Sequence, residues 1–193
     1  MGVLQEQLSS FQREYLWELE IPKTQILALA EAIPEEAYGW RPAENARTFS
    51  AVLVHIAAGM LMLLYRADVH TQAVMEMCGP IEGEGLSRWV AMAHKGFQAE
   101  KTVTEKSAVL DLLKRAFAAV SDSFMETSDE YLGVTRDLFG EVTTVRRVYL
   151  RILAHTDEHM GQAVAYARCM GFSMPWPDPV QVLEKMAATT GPR

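Results

Sequence analysis

The sequence predicts an all-α protein, a four-helix bundle with one long crossover between helices 2 and 3. Apolar residues recur every three or four positions along four long stretches, which is the helical period, and no stretch alternates as a strand would. The segment between the second and third of these stretches is too long for a simple helical hairpin. With 193 residues, the chain has the length of one domain with a full hydrophobic core.

The first helix is predicted to run from about Leu4 to Ile33. Pro22 lies inside it and removes one backbone hydrogen bond, so we expect a kink and not two separate helices. Residues 34–42 then form a connecting loop. The apolar stripe of this helix consists of Leu4, Leu8, Phe11, Tyr15, Leu19, Ile26, Leu29 and Ile33.

The second helix is predicted to begin at a cap formed by Thr48 or Ser50 and to run to about His70. Its residues 49–65 are almost wholly apolar, but they fall short of the roughly 20 residues needed to cross a membrane. A histidine, His55, also lies at the centre of this stretch. We therefore expect a buried helix and no membrane partner.

The crossover from residue 77 to residue 102 has a weak apolar pattern and several glycines. One short helix, at about Leu86 to Phe97, is predicted within it. Long connections of this kind are often functional lids. We therefore expect the crossover to be the most mobile long segment and to border the functional pocket.

The third helix is predicted to begin after residues 102–104. The fourth begins near residues 143–144 and ends at Gly171, whose missing Cβ suits a left-handed helix cap. We assign residues 1–176 to the bundle and residues 177–193 to a C-terminal extension. The third helix has apolar residues spaced three and four apart at Leu110, Leu113, Phe117, Val120 and Phe124.

The composition is acidic, with 25 acidic and 18 basic residues and a formal net charge of −7. This balance argues against a nucleic-acid or anionic-membrane partner, because both need a clustered basic face. Cys78 and Cys169 form no metal or redox motif, and the polar first residues do not resemble a signal peptide. We expect a cytoplasmic protein that acts on a small molecule. Whether it forms a homodimer stays open.

Two histidines point to a metal site on the fourth helix. His155, His159, Gln162 and Tyr166 fall within an arc of roughly 60° on one helical face, so both imidazoles can reach a single ion. His55 needs a polar partner in its apolar helix, and a divalent metal shared with the other two histidines would supply one.

The other polar residues of the fourth-helix face have two interpretations. Gln162 and Tyr166 either line the pocket or tie this helix to a neighbour, and we favour the second role for Tyr166 while leaving Gln162 open. Residues 155–159 also spell the His-x-x-Glu-His string of inverted zinc proteases, with Glu158 as general base. The chain offers no substrate-binding strand for that reading, so Glu158 stays a minor catalytic candidate.

Four blocks of the sequence, taken in order, resemble the DinB superfamily. These are damage-inducible-type bacterial four-helix bundles related to thiol-dependent S-transferases, and the resemblance extends from about Tyr15 to Trp176. It implies a divalent metal, zinc or nickel, held by one histidine of the second helix and two of the fourth. The blocks are Trp40-Arg-Pro42, Arg47-Thr-Phe-Ser-Ala-Val-Leu-Val-His55, Glu158-His-Met-Gly-Gln162-x₃-Tyr166-Ala-Arg168-x₂-Gly171 and Pro175-Trp176.

The metal positions in this sequence are then His55, His155 and His159. Three imidazoles leave an open coordination position, which is the catalytic pattern, and a bound ion lowers the pKa of a water or thiol there. One hypothesis is an enzyme that transfers a low-molecular-weight thiol to a small electrophilic substrate, or hydrolyses that substrate. The alternative is a non-catalytic metal-binding bundle with a structural or stress-related sensing role.

Overall fold

The computed structural model describes residues 8–83 and 85–189 of the chain. Four long helices, the first, second, fifth and seventh of this part, form the predicted bundle, and the third and fourth make the crossover. In chain order the elements are α1 (Ser10–Ala32), a 3₁₀ turn (Glu35–Ala37), α2 (Phe49–Arg66), α3 (Gln72–Cys78), α4 (Gly85–Thr102), α5 (Lys106–Glu126), α6 (Asp129–Leu132), β1 (Thr135–Leu138), β2 (Glu141–Thr144), α7 (Val145–Cys169) and α8 (Pro179–Thr189).

Helix α2 lies at the centre of the protein, where it packs against α4, α5 and α7. A helix that is apolar on all sides needs neighbours on all sides, which explains its composition. Among the described residues, it is the one helix long and apolar enough to cross a membrane, and 78% of that stretch is buried inside the protein.

The ends of the first two bundle helices differ in part from the prediction. The predicted start at Leu4 lies outside the described residues, and α1 is one continuous helix through Pro22. Thr48 caps α2 as predicted, since its Oγ1 accepts a hydrogen bond from the Ala51 amide at 3.1 Å. The predicted end near His70 is wrong. The helix ends at Arg66, and Asp68 adopts a left-handed conformation (φ 66°) that redirects the chain.

The crossover contains more helix than the sequence pattern indicated. The predicted short helix is part of α4, which spans 18 residues and packs along α2, and α3 was not predicted. The apolar stripe of α4 is weak because Met92 and Gly96 are its buried residues among those described. A Cβ at Gly96 would lie 3.2 Å from Cε of Met62, so this glycine lets the two helices approach closely.

The expectation that the chain contains no strand is wrong. Strands β1 and β2 pair antiparallel, and Phe139 and Gly140 form the two-residue turn between them, both at positive φ (56° and 85°). Each strand has four residues, which is too short for a clear alternation. Phe-Gly also lacks the Asn-Gly or Asp-Gly signal of such turns.

The fourth bundle helix matches the prediction at both ends. Oγ1 of Thr144 caps the start of α7 by accepting a hydrogen bond from the Arg147 amide at 3.3 Å. Gly171 follows its end at φ 86°, the left-handed conformation expected there. Beyond it, none of the described residues of α8 is buried. The division into a bundle at 1–176 and an extension at 177–193 stays a prediction.

Candidate metal centre

Three histidines from two helices converge in one place. His55 comes from α2, and His155 and His159 come from successive turns of α7, which packs directly on α2. One nitrogen of each imidazole lies within 4.8 Å of the others. Nε2 of His55 and Nε2 of His155 are 3.3 Å apart. Within residues 8–83 and 85–189, this is the one cluster of three or more His, Cys, Asp or Glu side chains with such spacing.

A glycine makes room for the His155 ring. A Cβ built on Gly59, one turn beyond His55 on α2, would lie 2.2 Å from Cε1 of His155. Real Cβ atoms do not approach so closely, so no larger residue fits at position 59 while the His155 ring holds this position. The space that Gly59 leaves beside His55 is therefore filled by an imidazole of the site itself.

A buried carboxylate orients the His55 ring. Oε1 of Glu100, on α4, accepts a hydrogen bond from Nδ1 of His55 at 2.8 Å, and Oε2 accepts one from Nε of Arg47 at 2.7 Å. Burial raises the pKa of Glu100, but the hydrogen bonds from His55 and Arg47 outweigh it and leave that pKa lowered. An ionised Glu100 fixes the His55 proton on Nδ1, so the lone pair of Nε2 faces the other histidines.

The side-chain amide of Gln162 orients the His159 ring in the same way. Its Oε1 accepts a hydrogen bond from Nδ1 of His159 at 2.9 Å, and its Nε2 donates to the hydroxyl of Tyr166 at 3.1 Å. Tyr166 is buried and packs edge-on against Trp40, with ring centroids 5.5 Å apart. Both predicted pocket residues therefore lie at the centre, Gln162 as the residue that orients His159 and Tyr166 as its anchor.

The pKa values of His155 and His159 are shifted in the direction that favours the neutral form, which binds metal. Burial, with smaller contributions from His55 and His159, lowers the pKa of His155 to about 3. Burial is also the main reason that the pKa of His159 is lowered. Neutral imidazoles are metal ligands, whereas imidazolium ions are not.

The donor set fits a divalent transition-metal ion. Two nitrogen ligands about 2.0–2.1 Å from a tetrahedral zinc ion are about 3.3–3.4 Å apart, which matches the 3.3 Å between Nε2 of His55 and Nε2 of His155. Nδ1 of His155 is buried and has no hydrogen-bond partner in the described part of the chain. Imidazole ligands suit zinc and nickel and are poor ligands for magnesium or calcium.

Glu158 is placed away from this centre. It lies on the exposed side of α7, where its Oε2 accepts a hydrogen bond from Nη2 of Arg151 at 3.1 Å. The carboxylate at the centre is Glu100, which sequence reasoning missed. Glu100 is 45 positions from His55 and belongs to no motif with it, so no local signal could have identified it.

A cavity of about 660 Å³ adjoins the centre and shares Arg47 and Glu100 with it. Phe97 and Lys101 of α4 also line this cavity, and the guanidinium of Arg47 lies 5.8 Å from the Phe97 ring centroid. The crossover therefore borders the site, as predicted. The volume is in the range that accommodates a small organic molecule.

Three solved structures share this fold. A DinB-like protein from Bacillus cereus ATCC 10987 has a TM-score of 0.64 at 16% identity, covering 85% of this chain and 95% of its own. The colibactin self-resistance protein ClbS, in complex with double-stranded DNA, has a TM-score of 0.58 at 15% identity, covering 82% and 96%. The mycothiol-dependent maleylpyruvate isomerase has a TM-score of 0.55 at 13% identity, covering 83% of this chain and 62% of its own.

Sequence comparison identifies the family. A comparison with curated proteins finds no match. The sequence model of the DinB superfamily, in contrast, matches residues 18–163, which is well over half of the chain. The bundle with its long crossover and the three histidines on its second and fourth long helices agree with that match. This chain belongs to the DinB superfamily.

Proposed function

We propose that this protein is a metal-dependent enzyme that transfers a low-molecular-weight thiol to a small electrophilic substrate. Its zinc or nickel ion would be held by His55, His155 and His159. One observation carries the proposal. The Nδ1 atoms of His55 and His159 both donate to acceptors, which leaves their Nε2 lone pairs free, and one nitrogen of each of the three imidazoles lies close enough to the others to share one cation.

The roles of the neighbouring residues follow from their contacts. Glu100 holds the proton on Nδ1 of His55, and Gln162 holds the proton on Nδ1 of His159. Both contacts fix the orientation and raise the basicity of the ligating nitrogen. Gly59 leaves the space that the His155 ring occupies. A divalent ion held by three protein ligands would have an open coordination position. The ion would lower the pKa of a thiol or water bound there.

The choice of thiol transfer depends on the lack of a free general base beside the histidines in the described part of the chain. Glu100 is committed to Arg47 and His55, and Glu158 to Arg151, so we assign neither of them a proton-transfer step. Thiol transfer does not need such a base, because coordination itself removes the thiol proton. The fold relationship to a mycothiol-dependent isomerase is consistent with a thiol co-substrate.

Two alternatives use the same histidines. Hydrolysis through bound water needs no thiol. A non-catalytic bundle would use the metal for stability or stress sensing. ClbS was solved with DNA, but the net charge of −7 does not favour a DNA partner for this chain. A cytoplasmic location and a homodimer stay predictions.

The first experiment measures metal content. Purified protein is expected to hold about one divalent ion per chain, and His159→Ala is expected to lose most of it while keeping its helical circular dichroism. His94→Ala is the matched control, since His94 is an exposed histidine outside the cluster. Equal metal content in wild type and His159→Ala would show that the ligand assignment is wrong.

The second experiment measures turnover. Metal-loaded protein is incubated with small bacterial thiols and a fluorogenic electrophile, with His159→Ala alongside. A metal-dependent rate of conjugation above that of the His159→Ala variant supports thiol transfer. Ester or amide cleavage without any thiol dependence identifies a hydrolase. Unfolding on chelation, with no turnover of any substrate, identifies the structural role.

A further inference from the structure

A second cavity, of about 710 Å³, lies at the opposite end of α2 from the histidines. Along the helix axis, Arg66 at this cavity is about 16 Å from His55. The cavity wall contains three arginines from three elements, Arg66 of α2, Arg88 of α4 and Arg136 of β1. Guanidinium groups brought together from three separate elements form a good binding site for an anion that accepts their hydrogen bonds.

Arg66 is the anchored member of the three. Its Nη2 donates to the carbonyl and to Oδ1 of Asp137, both at 2.8 Å, and its Nε reaches the same carbonyl at 3.2 Å. Its guanidinium also lies 4.9 Å from the Trp89 ring centroid. These contacts hold Arg66 in place and make it part of the wall.

Arg88 and Arg136 are incompletely paired. Nη2 of Arg88 donates to the hydroxyl of Tyr65 at 2.8 Å. Nη2 of Arg136 donates to the hydroxyl of Tyr131 at 2.8 Å and to Oδ2 of Asp68 at 3.4 Å, and its Nη1 donates to the carbonyl of Thr135 at 2.9 Å. The Nε atoms of both arginines are buried and have no acceptor among the described residues. The internal hydrogen bonds therefore do not use all the donors of these two arginines, and an anion in the cavity would accept charge-assisted hydrogen bonds from their guanidinium groups.

The charges at the cavity do not cancel. Three guanidinium groups face two carboxylates, those of Asp68 and Asp137, in a chain with a net charge of −7. Burial is the main reason that the pKa of Arg66 is lowered. Asp137 opposes this effect, and the positive charges of Arg88 and Arg136 add to it. The arginines therefore repel one another in the absence of a further anion.

We propose that this cavity binds a small organic phosphate monoester, with its phosphate against Arg88 and Arg136. The planar guanidinium matches the oxygens of a phosphate and binds them through charge-assisted hydrogen bonds. A free phosphate ion would leave most of a 710 Å³ cavity empty. Tyr65, Met75 and Pro80 line the same cavity and offer an apolar surface to the organic part.

Calorimetric titration of the whole protein at low salt tests this proposal, with phenyl phosphate, inorganic phosphate and phenol as probes. Phenyl phosphate is expected to bind about tenfold or more tightly than inorganic phosphate, and phenol not at all. Arg88→Gln and Arg136→Gln are each expected to weaken phenyl phosphate binding by about 10- to 100-fold. Arg147→Gln is the charge-matched control, since Arg147 has a 60% exposed side chain outside this cavity.

A second measurement needs no variant. Phenyl phosphate is expected to protect Arg88 and Arg136 of the wild-type protein from phenylglyoxal, as read by peptide mass spectrometry. Equal affinity for inorganic phosphate and phenyl phosphate would contradict the proposal that the ligand has an organic part. Phenyl phosphate binding that neither protects these arginines from phenylglyoxal nor weakens in their variants would contradict the assignment of the site to this cavity. A short DNA duplex that displaces phenyl phosphate, with the same arginine dependence, would overturn the small-molecule assignment in favour of a nucleic-acid surface.

Discussion

The imidazole of His155 occupies the space beside Gly59 that the side chain of any other residue would fill. A Cβ at position 59 would lie 2.2 Å from Cε1 of His155, and 2.8 and 2.9 Å from its two ring nitrogens. The two residues come from the two helices, α2 and α7, that contribute the three histidines. Their contact therefore couples the packing of these helices to the position of the His155 ring.

Gly59→Ala is expected to disrupt the centre without changing any ligand. The added methyl group must displace the His155 ring, so we expect metal affinity to fall on the order of 10- to 100-fold and stability to fall by about 1–3 kcal/mol. Competition with a fluorescent zinc chelator measures the first effect, and urea unfolding measures the second.

Gly161→Ala is the matched control for that variant. A Cβ at Gly161 of α7 meets no heavy atom within 4 Å. This variant is expected to keep its metal affinity and to gain up to about 1 kcal/mol, because alanine has a higher helix propensity than glycine. Wild-type metal affinity in Gly59→Ala would show that the His155 ring position does not matter for metal binding.

Replacing Glu100 tests its role in orienting His55. In Glu100→Gln the amide oxygen can still accept the hydrogen bond from Nδ1 of His55, but the negative charge is lost. We expect metal affinity to fall about tenfold in Glu100→Gln and further in Glu100→Ala. Glu158→Gln serves as the control because Glu158 is exposed and paired with Arg151. An equal loss of affinity in Glu158→Gln would show that the effect comes from the lost negative charge and not from the orientation of His55.

The two cysteines are expected to differ in reactivity. Burial raises the pKa of Cys78 to about 12, with a smaller opposing effect of Lys95, whereas Cys169 is exposed. At pH 8 a disulfide reagent is expected to titrate one thiol per chain in the native state and two in denaturant. Cys169→Ser should leave no rapidly reacting thiol, and rapid modification of Cys78 in that variant would contradict the buried placement.

The raised pKa of Cys78 also predicts a stability change at alkaline pH. Its proton is bound more tightly in the folded state than in the unfolded state, so its contribution is complete below the unfolded pKa of 9.0. That contribution is lost as the pH rises from about 9 towards 12. The free energy of unfolding of Cys78→Ala is expected to fall less steeply over this range. Parallel curves for the variant and the wild type would contradict the linkage.

The crossover is expected to be cut before any of the four long bundle helices in limited proteolysis. Met92 and Gly96 are the buried residues of α4 among those described, so this helix has little burial to oppose local opening. Mapping the first cleavage sites of a nonspecific protease by mass spectrometry checks this. Helix α7 is the internal comparison because it buries residues along most of its length. First cleavage within α7 would contradict the prediction.

The bundle and most of its histidine cluster could be predicted from the sequence because both depend on local periodicity. The 3.6-residue repeat places His155 and His159 on one face of α7, and the apolar run around His55 requires a buried helix. The Thr48 cap of α2 and the left-handed Gly171 after α7 are equally local, since each depends on a few neighbouring residues. The full length of α4 and the β1–β2 hairpin were not predicted by the same reasoning, because α4 buries few residues and each strand has only four.

The contacts between residues far apart in the chain depend on the tertiary structure and could not be predicted from the sequence. Glu100 reaches His55 across 45 positions, and the His155 ring fits against Gly59 because α7 packs on α2. The three arginines of the second cavity likewise meet because the end of α2 lies close to the starts of α4 and β1. Sequence periodicity determines which face of a helix is buried. It does not determine which residue of another element that face meets, because that depends on how all the helices pack at once.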